Sequence, residues 1–188
     1  MQRDDLQVFI DDVGLVVDGS DDQYEITERV AERLSALLTG GYRLPGEFVR
    51  PSPERHVNYP LYIAPDDSWC LVSVVWNMGQ RTPVHGHETW GVAGIYSGSE
   101  REVRYLKPTG SAVGKPLTPA GEQVWERGQV TVCCTTDDDV HSVVAEGDEP
   151  TVGIHVYGGN IGTLSRPSYD PETGATEWFV SGWDDPEG

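Results

Sequence analysis

From residue 57 onward, one pattern constrains the fold of this chain most strongly. Short runs rich in β-branched and aromatic residues alternate with Gly, Pro and Asp at near-regular intervals. The predicted strands span residues 57–63, 69–76, 90–96, 102–107, 129–135, 142–145, 151–157 and, after a turn at 171–176, 177–180. Strands spaced in this way are typical of an antiparallel sandwich or barrel. The chain is therefore predicted to be mainly β.

The first 56 residues show a helical pattern instead. Apolar residues recur at helical spacing over residues 6–13, behind aspartates that suit a helix N-terminus, and Gly14 is predicted to end this helix. A second apolar stripe covers residues 26–38 and stops at a pair of glycines. Residues 42–55 hold three prolines and are predicted to wrap over the surface as a loop. These elements are expected to form a cap on the β region.

Length and charge limit the class of protein. A chain of 188 residues without a linker fits one domain, since domains typically run ~100–200 residues. The formal net charge of −18 argues against binding a nucleic-acid backbone or an anionic membrane surface. No apolar run approaches the ~20 residues of a membrane span, and the charged start, Met1 to Asp5, lacks the hydrophobic segment of a signal peptide. The expected location is the cytoplasm.

The three cysteines do not make a disulfide framework. Cys133 and Cys134 are neighbours in a strand-like run, so their side chains are expected to face opposite ways. Together with Cys70, they are interpreted as small core residues.

Two histidines stand one residue apart near the end of a predicted strand. On an extended backbone, residues i and i+2 project from the same face, so His85 and His87 are able to point at one common atom. A metal ion is the usual reason for two imidazoles to converge in this way. The alternative interpretation is a pair of surface histidines near a turn.

A third metal ligand is expected from another part of the β region. His141 is the best candidate because it follows a turn and begins a new strand. Three protein ligands leave sites open for exogenous ligands, as a catalytic metal requires. A carboxylate from Asp137, Asp138 or Asp139 is the alternative third ligand, which would complete a triad of two histidines and one carboxylate.

These residues belong to a longer pattern that resembles the first cupin motif. Gly79, the histidine pair at 85 and 87, and Gly98 stand at matching positions, while Gly91 and Val92 stand where the usual glutamate would be. His141 is what remains of the second motif. Loss of the acidic ligand with three histidines kept resembles the thiol dioxygenase branch. Residues 82–94 and 153–162 resemble the bacterial cysteine dioxygenase and 3-mercaptopropionate dioxygenase signatures.

This resemblance implies a cupin double-stranded β-helix, a jelly-roll-like barrel, with a small N-terminal helical cap. The whole chain, 1–188, is then one cupin domain, with the cap and wrapping loop at about 1–56 and the barrel at about 57–183. It also implies that His85, His87 and His141 hold Fe(II). The expected activity is oxidation of a small thiol carboxylate, 3-mercaptopropionate or cysteine, to its sulfinate with O2.

The resemblance assigns further roles. His155 and Tyr157 match the histidine and tyrosine of the family's outer-sphere triad, while Gly153 replaces its serine. Mammalian cysteine dioxygenases crosslink a cysteine to that tyrosine, but residues 91–93 hold no cysteine here, so no crosslink is expected.

Substrate binding is assigned in the same way. Arg166 matches a carboxylate-binding arginine, and Asn58, with His56 close by, stands near the position of a second substrate-binding residue. Arg81 is a second candidate for the carboxylate.

Two other classes of function stay open. One is a metal-dependent cupin without redox chemistry, such as an isomerase or lyase. The other is a cupin that binds a small molecule without turning it over. The sequence does not choose between cysteine and 3-mercaptopropionate.

Overall fold

The computed structural model of the protein describes residues 5–107 and 114–187, so the charged N-terminal residues before Asp5 lie outside the described residues. The helical elements are α1 (Asp5–Asp18), α2 (Gln23–Thr39) and a 3-10 turn (Gly46–Val49). The N-terminus of α2 is capped by the Asp22 side chain, which accepts a hydrogen bond from the Tyr24 amide. The second helix ends at the predicted pair of glycines, and the 3-10 turn lies inside the predicted loop.

The first helix is longer than predicted, because it does not end at Gly14 but continues to Asp18. A glycine inside a helix costs ~1 kcal/mol relative to alanine. Val13 and Val16, on either side of Gly14, are completely buried. Burial of the apolar stripe beyond Gly14 outweighs the cost of the glycine.

Eleven strands follow within the described residues. They are β1 (Val57–Ile63), β2 (Cys70–Trp76), β3 (Val84–His85), β4 (Gly91–Ser97), β5 (Ser99–Tyr105), β6 (Pro119–Glu126), β7 (Val130–Cys134), β8 (His141–Glu146), β9 (Thr151–Tyr157), β10 (Arg166–Tyr169) and β11 (Thr176–Phe179). Each of the eight predicted strands is present, with bounds that shift by at most a few residues. β3, β6 and β10 were not predicted.

The strands form two antiparallel sheets. The first has the order β1-β2-β9-β4-β7 and the second the order β11-β10-β3-β8-β5-β6. Within them, β2-β9-β4-β7 faces β3-β8-β5-β6, and successive strands from β2 to β9 lie in different sheets except for the β5-β6 hairpin in the second sheet. This is the arrangement of a jelly roll with two Greek keys, the architecture of cupins. The predicted double-stranded β-helix is confirmed.

Two apolar layers explain why the first sheet is buried on both faces. The helices pack on its outer side, where Gly94 lies so close to α2 that an added Cβ would meet Leu38 Cδ1 at 2.7 Å and Leu34 Cδ2 at 2.9 Å. A second apolar cluster lies inside the barrel, between the sheets. Among the described residues, no helix is both long and apolar enough to span a membrane.

The acidic C-terminal tail is anchored to the first sheet. Asp184 packs back onto β1, where its carboxylate accepts a hydrogen bond of 2.8 Å from the backbone amide of Asn58. The same carboxylate pairs with Arg55. The tail thereby fixes the edge strand that carries Asn58, a candidate site residue.

Candidate metal centre and its cavity

His85, His87 and His141 meet inside the barrel. His85 ends β3, His141 begins β8, and the two are paired directly across the second sheet, while His87 follows in the next loop. One side-chain nitrogen from each residue lies within 4.8 Å of the other two. All three residues are buried. The i, i+2 spacing and the strand pairing together bring the three rings to one point.

The Nδ1 atoms of two of these histidines already have partners. His85 Nδ1 lies 3.0 Å from the Pro83 carbonyl oxygen, and His141 Nδ1 lies 2.6 Å from Glu102 Oε1. When Nδ1 carries the proton, Nε2 keeps its lone pair for a metal. His87 Nδ1 is buried without a partner among the described residues.

The electrostatics of the cluster favour neutral imidazoles. Burial, followed by repulsion between the clustered histidines, holds the pKa of His85 and of His87 well below the usual range. A neutral imidazole is the form that binds a metal ion. Three convergent imidazole nitrogens suit Fe, Zn, Ni or Cu better than Ca or Mg, which prefer oxygen ligands. The residues present therefore fit a transition-metal ion.

The loop that carries His87 is fixed by Asp139. Its Oδ2 accepts hydrogen bonds of 3.1 Å from the amides of His87 and Glu88, and its Oδ1 lies 3.1 Å from Lys107 Nζ. Glu88 has a φ of 58°, which this pair of amide contacts helps to hold. Asp139 is therefore engaged with the backbone of the histidine loop.

The other two aspartates of the alternative ligand set also have partners away from the three histidines. Asp137 accepts a hydrogen bond from Tyr24, and Asp138 lies 3.4 Å from Arg104. In the part of the chain that the structure describes, the cluster able to hold a metal consists of the three histidines alone.

A single cavity of about 80 Å³ brings the predicted site residues together. All five histidines of the chain line it, as do Asn58, Tyr157 and Arg166. Arg81 is exposed and is not part of the lining. A cavity of ~150 Å³ is known to hold a benzene molecule, so a space of this size fits a ligand of few heavy atoms.

His155 and Tyr157 form a hydrogen-bonded pair on β9. The Tyr157 hydroxyl lies 2.9 Å from His155 Nδ1, and the Tyr157 ring stacks on His87 with centroids 5.3 Å apart. Burial lowers the pKa of His155 to about 3 and raises that of Tyr157 well above its usual value. The pair therefore consists of a neutral imidazole and a neutral phenol.

Gly153 leaves room for the His155 ring. A Cβ added at Gly153 would lie 2.4 Å from His155 Nε2, so a larger residue would have to displace the imidazole. His155 Nε2 is buried and has no hydrogen-bond partner among the described residues. Tyr157 is thus the side chain that orients His155 on this side of the barrel.

Arg166 is a buried cation without an acidic partner among the described residues. It is 6% exposed, its Nη2 donates a hydrogen bond of 2.9 Å to Ser181, and its guanidinium lies 4.8 Å from the centroid of the Phe179 ring. Its Nε is buried and unpaired, and burial lowers its pKa. A buried unpaired charge is costly, so this side of the cavity favours an anionic ligand.

Two glutamates that sequence reasoning missed also line the cavity. Glu100 and Glu102 share the inward face of β5 and are almost completely buried. Burial acts to raise the pKa of Glu102, but its contacts with His141, Arg104 and Trp125 hold that pKa below the usual value. The two-residue spacing of these glutamates was the available signal for a shared face. It was not used because acidic residues on a strand are ordinarily assigned to the solvent face.

The cysteine prediction is wrong in one respect. The sulfurs of Cys133 and Cys134 lie 3.5 Å apart instead of on opposite faces. Gly91 pairs with Cys134 and Val92 with Val132, so Cys133 is the extra residue of a β-bulge, which breaks the alternation of side chains. All three cysteines are buried, and Cys133 lines the cavity.

The topology and the three-histidine group together define a cupin-type barrel with a candidate metal site. No family model matches the chain. Among solved structures, it is similar to a conserved protein with a double-stranded β-helix domain from Klebsiella pneumoniae, with 14% identity, 76% of this chain and 93% of that chain covered, and a TM-score of 0.47.

A cupin 2 conserved barrel domain protein from Salinispora arenicola is also similar, with 16% identity, coverage of 61% of this chain and 84% of that chain, and a TM-score of 0.43. A putative mannose-6-phosphate isomerase from Ralstonia eutropha shows 18% identity, coverage of 63% and 99%, and a TM-score of 0.46. Likenesses of this degree say nothing about the reaction of this chain.

Proposed function

We propose that the protein is a non-haem iron thiol dioxygenase that oxidises a small thiol carboxylate, 3-mercaptopropionate or cysteine, to its sulfinate. The observation that carries the proposal is the convergence of His85, His87 and His141 as three buried nitrogen donors without a carboxylate. A ferrous ion held by these residues would supply the redox chemistry that adds both atoms of O2 to the sulfur of the substrate. The balance is one thiolate plus one O2 giving one sulfinate.

The cavity supports an anionic substrate. Three neutral ligands leave the charge of a divalent ion uncompensated, which favours binding of a thiolate. Arg166 adds a second positive group, with an unpaired N–H available for a carboxylate. Asn58 lines the same cavity and offers an amide for a further hydrogen bond. A short molecule with a thiol and a carboxylate matches both groups and the small volume.

His155 and Tyr157 supply the proton-handling group of the proposal. Because Tyr157 stays a neutral phenol, its hydroxyl is able to donate a hydrogen bond to oxygen or sulfur of the bound reactants. The neutral His155 ring, 2.9 Å away, orients that hydroxyl. Hydrogen-bonded pairing of β9 with β2 and β4 fixes His155 and Tyr157 in the barrel wall.

The test is turnover by iron-loaded protein. Oxygen consumption and sulfinate formation are measured with 3-mercaptopropionate, cysteine and cysteamine, and we expect the carboxylated thiols to be oxidised in a 1:1 ratio with O2. His141→Ala is expected to lose iron and activity together, because a site with two ligands binds a metal poorly. Full iron occupancy without turnover of any of the three thiols would falsify the proposal.

A metal-dependent cupin without redox chemistry is the second candidate. The observation that favours it is the contact between His141 Nδ1 and Glu102, because a carboxylate–histidine–metal arrangement is common at zinc sites. Three histidines with an open position also form a catalytic zinc site. This alternative predicts an isomerase or lyase activity that is equal under anaerobic and aerobic conditions and is supported by zinc, nickel or manganese.

A further inference from the structure

Glu100 is a buried acid in the cavity that the proposed reaction does not use. It is 3% exposed, lies on the inward face of β5 two residues before Glu102, and lines the same space as the three histidines. Its Oε2 is buried without a hydrogen-bond partner among the described residues. Glu102, by contrast, contacts His141, Trp125 and Arg104.

The two strands that flank β5 bring no cation to Glu100. Its partners in register are Trp125 on β6 and Ala145 on β8, neither of which is charged. The other titratable groups of the cavity are Glu102, Cys133, Tyr157, Arg166 and the five histidines. Glu102 is the other carboxylic acid in this lining, and His141 and Arg104 stabilise its negative charge.

Glu100 is therefore held in its neutral form. An isolated ionised carboxylate in an apolar environment is very costly, so such a group keeps its proton instead. Burial, with the nearby negative charge of Glu102 as the second cause, raises the pKa of Glu100 to about 8. A neutral carboxylic acid has one O–H donor, and buried acids of this kind serve as hydrogen-bond donors in enzymes.

We propose that Glu100 is a ligand-positioning residue, whose protonated carboxyl group donates a hydrogen bond to the anionic ligand of the cavity. No covalent or redox step is involved. The inference rests on the proposed function only in that the cavity takes an anionic ligand. Glu100 then acts in addition to Arg166 as a second, uncharged group for the ligand.

The proposal has a pH dependence with a definite sign. Below about pH 8 Glu100 carries its proton and donates, and above it the group becomes a carboxylate that lacks the donor and repels an anion. Affinity for an anionic ligand is then expected to fall about tenfold for each pH unit above that point. In Glu100→Gln the amide keeps an N–H donor and does not titrate, so this loss is expected to vanish.

The experiment compares propionate binding to the zinc-loaded wild-type protein and to Glu100→Gln by calorimetry from pH 6 to 9.5. Propionate stays ionised over this range, zinc prevents oxidation, and titration of metal-bound water affects both proteins equally. We expect the ratio of the wild-type Kd to the variant Kd to stay level to about pH 8 and then to rise about tenfold per unit. A flat ratio, or no propionate binding by either protein, would overturn the proposal.

A second measurement reads the proton directly. Infrared difference spectra of wild-type protein minus Glu100→Gln are expected to show the C=O stretch of a protonated carboxylic acid, which shifts when propionate or 3-mercaptopropionate is added. Absence of that band at pH 7 would also overturn the proposal. Thiol oxidation with a flat Kd ratio would reject the role of Glu100 alone, whereas the pH-dependent ratio without thiol turnover would reject the dioxygenase alone.

Discussion

Glu102 contacts His141 directly, with its Oε1 2.6 Å from His141 Nδ1. This contact selects the tautomer of His141 and fixes the orientation of its ring. Glu102 is 2% exposed, so the contact is shielded from water. The candidate ligand and the carboxylate come from neighbouring strands, β8 and β5.

Glu102→Gln is expected to weaken metal binding by about 10–100-fold, because loss of such an outer partner usually costs that much. The measurement is metal affinity by competition with a chelator. Glu122→Gln is the matched control, since Glu122 is 53% exposed and pairs with Arg101 on the surface. Equal affinities in wild type and Glu102→Gln would show that His141 does not depend on this carboxylate.

Asp139→Asn is expected to lower the free energy of unfolding by about 1–3 kcal/mol, because the amide that replaces the carboxylate accepts the two backbone hydrogen bonds more weakly and no longer forms an ion pair with Lys107. Metal affinity should fall as well, since the histidine loop loosens. Urea unfolding with and without metal measures both effects. Asp138→Asn, whose side chain is 63% exposed, is the control and should be near neutral; equal stability of the two variants would contradict the role of Asp139.

Tyr157→Phe is expected to keep the metal and slow thiol oxidation by about 10²-fold, since it removes the hydroxyl beside His155 but not the ring stacked on His87. Turnover and metal content are measured together. Tyr59→Phe removes a buried hydroxyl bonded to the Arg50 carbonyl, away from the cavity, and should leave turnover unchanged. Wild-type turnover in Tyr157→Phe would reduce Tyr157 to a packing role.

Arg166→Gln is expected to raise KM for 3-mercaptopropionate by roughly 10–100-fold, the range for losing a charged hydrogen bond. KM for cysteamine, which has no carboxylate, should change far less. Arg81→Gln is the control on the surface and should affect neither substrate. Equal changes for both substrates in Arg166→Gln would remove this arginine from carboxylate binding.

Gly153→Ser is expected to destabilise the protein by about 1–3 kcal/mol, because the new Cβ would overlap His155 Nε2 in a tightly packed barrel wall. Thermal unfolding measures the change. Gly121→Ser on β6 is the control, since nothing lies within 4 Å of a Cβ there. If Gly153→Ser were as stable as wild type, the His155 ring would have to move freely.

The sequence predicts the architecture of the barrel well where strands carry apolar alternation, as β1 and β9 do. The missed strands lack that signal. β3 has two residues, β10 contains Pro167, and β6 is almost entirely exposed. These three strands are stabilised by pairing with neighbouring strands, and no local sequence pattern indicates that pairing.

Within the candidate site, histidine spacing and the family resemblance predict residues that the structure places around one cavity, although their roles stay proposals. Glu100 and Glu102 were not predicted as site residues because their burial depends on how the two sheets pack together. The position of Cys133 depends on a bulge set by pairing with β4. Such features arise from tertiary packing and are absent from a short window of sequence.

The placement of all five histidines around one cavity makes the imidazole ring a built-in spectroscopic reporter. In most proteins, signals from surface histidines obscure those of the site. Here every imidazole resonance comes from the lining of the cavity, and metal or ligand binding is therefore readable in the unlabelled side chains of the native protein.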